Sequence, residues 1–133
     1  MTNQFAFFLY KYHIASVLLG FGIIGLCLIP IPSDNSGINI PYFDKIVHYV
    51  MYVLLCAAYL FESSHKPTSG RLLNYAKGLF YCAIVAGAIE LAQLYLTTYR
   101  SGEWLDFWFG MAGALTSCLV ALLIRRAFRS RGR

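Results

Sequence analysis

Four apolar runs, at about residues 12–29, 45–61, 75–96 and 103–124, occupy most of the 133-residue chain. Crossing a bilayer core of about 30 Å takes roughly twenty apolar residues in helical form, since within lipid every backbone N–H and C=O has to be satisfied inside the segment. Each run meets or approaches that length, so the expected fold is an all-α membrane protein with four transmembrane helices. Hydrophobic residues make up 59% of the chain and charged residues 13%, which leaves no material for a separate soluble unit. Residues 1–133 are therefore read as a single membrane domain.

The segments between the runs are poor helix formers. IPIPSDNSGINIPYF carries three prolines and a glycine and reads as an extramembrane loop, after which Asp44 is placed to cap the second helix. ESSHKPTSGR reads as a second loop, and the short link around RSG makes helices three and four antiparallel neighbours. Lys11, Lys66, Arg71, Lys77 and the five arginines of the tail fall on one side of the membrane, and Lys45 and Arg100 on the other. Positive loops stay cytoplasmic, so an antiparallel bundle with both termini cytoplasmic is expected, in the bacterial cytoplasmic membrane.

The net charge of +5 comes largely from the RRAFRSRGR tail next to an apolar run, the pattern of a membrane anchor, so nucleic acid is not an expected partner. Cys27, Cys56, Cys82 and Cys118 each fall in a different run, without a CxxC pair and without a histidine at ligand spacing. They read as small apolar fillers, and neither a metal site nor a cofactor is expected from spacing.

Against this background the stretch ELAQLYLTTYRSGEWLDFWFGMAG stands apart, because it sets Glu90, Gln93, Arg100, Glu103 and Asp106 in or beside apolar helices. A carboxylate at the centre of a membrane helix costs about 2.5–3.5 kcal/mol on insertion scales, so Glu90 calls for a functional reason. The topology gathers Asp44, Lys45, His48, Glu90, Gln93, Arg100, Glu103 and Asp106 at the outer end of the bundle. Helical spacing sorts them further: Ala83, Ala86, Gly87, Glu90, Gln93 and Thr97 share one stripe of helix three, and Asp106, Gly110, Gly113 and Ser117 share one of helix four. Facing stripes of small residues let membrane helices approach closely, which would turn Glu90 toward Asp106. On helix two, Asp44, His48 and Tyr52 form a third stripe, with Lys45 within reach of His48. The plainer readings are interfacial ion pairs for Asp44, Lys45, Arg100, Glu103 and Asp106, and a packed, hydrogen-bonded imidazole for His48.

DKIVHYVMY, then ELAQ, then RSGEWLDFWFGMAG together resemble the VanZ-like family of small membrane proteins. The likeness runs from about residue 41 to 117, and Asp44, Lys45, His48, Glu90, Gln93, Arg100, Asp106 and Gly113 match the family's recurring motif. The resemblance implies a four-helix membrane protein; the family's namesake is associated with resistance to the glycopeptide teicoplanin. Where the family pattern usually has an asparagine, four residues after the aspartate, this chain has Gly110.

Together these readings point to a cell-envelope protein whose outer-leaflet site binds an anionic lipid or lipid-linked headgroup. Lys45, Arg100 and the N-termini of helices two and four would hold the anion, with Gln93 and Asp44 beside it. In an enzymatic version Glu90 is general acid or base, His48 its partner and Asp106 the group that orients it. A structural or partner-binding module and a small proton-coupled carrier are the alternatives from other classes. No oligomeric state follows from the sequence.

Overall fold

The computed structural model describes residues 4, 7–8, 11–29, 42–65, 70–98 and 102–131. Four helices follow one another without a strand among the described residues: α1 (Ile14–Leu28), α2 (Phe43–Ser64), α3 (Arg71–Leu96) and α4 (Trp104–Arg131). Contacts between successive helices make each antiparallel to the last, so α2 and α4 run in the same direction and start at the same end of the bundle. The expected loop at 30–41, residues 66–69 of ESSHKPTSGR and Arg100 lie outside the described residues.

Among the described residues three helices, α2, α3 and α4, are long and apolar enough to cross a membrane. The first is shorter than the sequence pattern predicts. Its 15 residues span about 22 Å at 1.5 Å per residue, less than a hydrocarbon core. The break falls at His13, which stacks on Tyr59 beside Glu62 and takes a left-handed conformation with φ 53°, interrupting the helical path of the chain before Ile14. The other three exceed their predicted bounds. In α2 the helix runs through Glu62 and Ser63, because no breaker occurs before Pro67. In α4 it continues through Arg125, Arg126 and Arg129, good helix formers that carry it past the apolar run. The start of α2 also differs from expectation. Its N-cap is Tyr42, in a left-handed conformation with no side-chain cap, and Asp44 is instead a first-turn acid that complements the helix dipole.

Among the described residues α1 and α4 do not meet, whereas α3 touches all three other helices and so does α2, the most heavily packed of the four. Its most extensive partner is α4, which corrects one expectation: the glycine stripe of α4 packs on α2 and not on α3. A Cβ on Gly113 would run into the backbone carbonyl of Tyr49, and one on Gly110 would lie 2.7 Å from the Tyr52 ring. Ser117 Oγ donates to the Val53 carbonyl at 2.7 Å, and the Tyr49 and Thr116 hydroxyls bond at 2.8 Å. Close backbones and interhelical hydrogen bonds are what hold helices together where lipid supplies no hydrophobic drive. The core between them is Tyr52, Leu55, Cys56, Cys82, Ile89 and Ala114, and the large apolar residues left outside, such as Phe80, Leu94, Trp108 and Leu119, are exposed around the bundle as lipid-facing residues would be.

Candidate functional site

The end of the bundle where α2 and α4 begin collects polar groups from all four helices. Lys45, in the first turn of α2, is 6% exposed and turns its ammonium inward. Nζ donates to Glu103 Oε2 at 2.9 Å and to Asp44 Oδ2 at 3.3 Å, and pairs with Asp106 Oδ1 at 3.3 Å. The expected contact between Lys45 and His48 is replaced by these carboxylates, because one turn of parallel packing puts the start of α4 directly against the start of α2.

His48 lies one turn deeper, at 3% exposure. Its Nδ1 is 2.9 Å from the Asp44 carbonyl oxygen, which can only accept, so Nδ1 carries the proton and a neutral ring keeps its lone pair on Nε2. The Cys27 thiol of α1 stands 3.8 Å from that nitrogen. One ring nitrogen of His48, one carboxylate oxygen of Glu90 and one of Asp106 lie within 4.8 Å of one another, with all three residues buried. Their sequence positions, on three different helices, show no ligand spacing, although shared helical depth already brings them to one end of the bundle. Asp106 Oδ1 accepts no hydrogen bond and has Lys45 as its charged neighbour. A second group, Asp44, Glu103 and Asp106, is equally close and more exposed.

Glu90 is held where the link to α4 crosses it. A Cβ at position 102 would lie 2.5 Å from the Glu90 carbonyl oxygen, so Gly102 is the residue that lets the chain pass this close. A cavity of about 20 Å³ between Glu90, Leu91, Leu94, Gly102 and Trp104 has room for a single water beside the carboxylate. Gln93, fully buried, donates from Nε2 to the Cys27 carbonyl at 3.2 Å and ties the end of α1 to α3. The structure thus gathers Asp44, Lys45, His48, Glu90, Gln93, Glu103 and Asp106 at one end of the bundle. It also accounts for Gly110: the Tyr52 ring fills the space an asparagine side chain would need.

Sequence reasoning missed Glu62. The polar run ESSHKPTSGR places it in a loop, yet it is 2% exposed at the opposite end of the bundle. Its Oε1 accepts from the Ala15 N–H at 2.8 Å and its Oε2 from the Ser16 N–H at 3.1 Å, with His13 Nδ1 3.6 Å away. It therefore caps the first turn of α1 from another helix. The signal was present in the spacing, since Glu62 follows Leu55 by two helical turns on the buried face of α2.

A sequence model described as VanZ/LLP1 matches residues 3–125, nearly the whole chain. No curated protein and no solved structure gives a match.

Proposed function

The chain belongs to the VanZ/LLP1 family, and from that premise we propose that it is a cell-envelope protein of the bacterial cytoplasmic membrane that engages an anionic lipid or lipid-linked headgroup at the outer leaflet. The single observation that carries this reading is the convergence of His48, Glu90 and Asp106 from three helices to within 4.8 Å, buried in a membrane protein. Ionisable groups held inside a membrane bundle are expensive and mark functional sites by default. Both termini lie in the cytoplasm on this reading, because the basic residues of α4 and of the start of α3 share one end. The chain acts as one membrane domain.

Lys45 takes a different part from the one its charge implies. Three carboxylates already surround it, so it holds the acids in place, and the anion falls to Arg100 and to the first-turn amides of α2, which Tyr42 leaves without a side-chain cap. In a catalytic version Glu90 serves as general acid or base, next to His48 and oriented by Asp106. A carrier is disfavoured, since the next layer inward, Tyr52, Leu55, Cys56 and Cys82, offers one hydroxyl and two thiols but no charge. A structural module is favoured by one observation, the closed network around Lys45. A link to teicoplanin-type resistance comes with the family and is read from susceptibility of cells with and without the protein.

Lipid mass spectrometry on the purified full-length protein tests the proposal. The wild type should retain a defined headgroup class that Glu90→Gln loses at unchanged melting temperature. Equal retention by both proteins would leave the structural module.

A further inference from the structure

We propose that His48, Glu90 and Asp106 bind a divalent transition-metal cation, with Zn²⁺ as the best fit, leaving an open coordination position toward the outer end of the bundle. One imidazole and two carboxylates form a mixed nitrogen and oxygen donor set, which suits Zn²⁺ or Mn²⁺ and does not suit Mg²⁺, a cation that prefers oxygen alone. The three donor atoms are within 4.8 Å of one another. Neighbouring ligands in a tetrahedral zinc site stand about 3.3 Å apart, so closure asks for side-chain movements on the order of 1 Å.

Two further observations point to a ligand. His48 donates Nδ1–H to the Asp44 carbonyl at 2.9 Å, the outer bond that fixes the tautomer and aims Nε2 in liganding histidines. Asp106, 3% exposed, has an oxygen, Oδ1, that accepts no hydrogen bond and keeps the Lys45 ammonium at 3.3 Å as its charged neighbour. Charge agrees with both. Asp44, Glu103 and Asp106 crowd around the ammonium of Lys45, three carboxylates to one cation among these described groups, an excess that a divalent cation would reduce. The Cys27 thiol, 3.8 Å from Nε2, is a weak donor that a cation displaces.

Metal binding itself stands on the triad alone. Its use deepens the headgroup reading and rests on it: a cation with an open position attracts a phosphate or carboxylate into a cluster that would otherwise repel it. Three protein ligands with a fourth position left open is the arrangement of zinc sites that act on a bound group.

Full-length protein in detergent, stripped with chelator, should take up one Zn²⁺ per chain by calorimetry and elemental analysis, with excess Mg²⁺ failing to compete. Glu90→Gln and Asp106→Asn should each weaken Zn²⁺ binding at least tenfold while keeping the helical circular-dichroism signal, and Glu62→Gln should bind as wild type. A wild-type chain with no saturable Zn²⁺ binding overturns the proposal, as does wild-type affinity in both site variants. Phosphatidylglycerol nanodiscs with and without Zn²⁺ separate the two readings. Zn²⁺ binding without any Zn²⁺-dependent headgroup retention upholds the metal site and removes the headgroup role. Retention that is indifferent to Zn²⁺, from a chain that binds none, does the reverse.

Discussion

Glu62 and Glu90 are both glutamates on membrane-length helices, 2% and 4% exposed, yet their surroundings differ in kind. Glu62 accepts the N–H groups of Ala15 and Ser16 at the start of α1, where orphan amides and the positive end of a helix dipole favour a carboxylate. Nearby, the Tyr81 hydroxyl donates to the Ser16 carbonyl at 2.9 Å and His13 stacks on Tyr59, so the local polar groups are absorbed in fixing α1 to α2 and α3. Glu90 instead faces a second carboxylate and an imidazole, beside a water-sized cavity. Burial of an acid is common to both ends and decides nothing; what separates them is that two backbone donors of another helix converge on Glu62, whereas a second carboxylate and an imidazole from two other helices converge on Glu90.

The contrast breaks most completely if the scaffold fails. Gly113→Leu would force a side chain into the Tyr49 carbonyl, separate α2 from α4 and lower stability by about 3 kcal/mol, read as a fall in melting temperature together with loss of the site. Glu62→Ala strands two amides at the first turn of α1 and should cost about 2 kcal/mol, without changing headgroup retention per folded molecule. At the other end Glu90→Gln should leave stability unchanged or raise it by up to about 1 kcal/mol, because a charge is removed from a crowded acidic cluster, while function is lost. The smallest effect belongs to Arg100→Lys. It should weaken headgroup retention by about fivefold with no change in melting temperature, since a bidentate fork is exchanged for a point charge.

Much of this arrangement was legible in the sequence. Apolar runs and prolines located four helices, and the shared depth of Asp44, His48, Glu90 and Asp106 brought them to one end. Three features were not legible. The left-handed turn at His13, which shortens α1, depends on tertiary packing against Tyr59 and Glu62 and not on local propensity. The choice of α2 as partner for the glycines of α4 could not follow from a stripe alone, because small residues on α3 offered an equally good face. Glu62 was lost because a charged residue next to SSHKP looks like loop, although the helical period continues through it. The partners of Lys45 were similarly hidden: reach along one helix favoured His48, whereas parallel packing supplied acids from another.

The direct test sets Glu62→Gln beside Glu90→Gln in the full-length protein, with melting temperature and retained lipid measured on the same preparations. The account predicts a crossed result: Glu62→Gln melts lower and keeps its lipid, whereas Glu90→Gln melts at or above the wild type and loses it. If Glu90→Gln instead melts as low as Glu62→Gln and retains the wild-type lipid, then both glutamates are structural and the functional reading of the α2–α4 end is wrong.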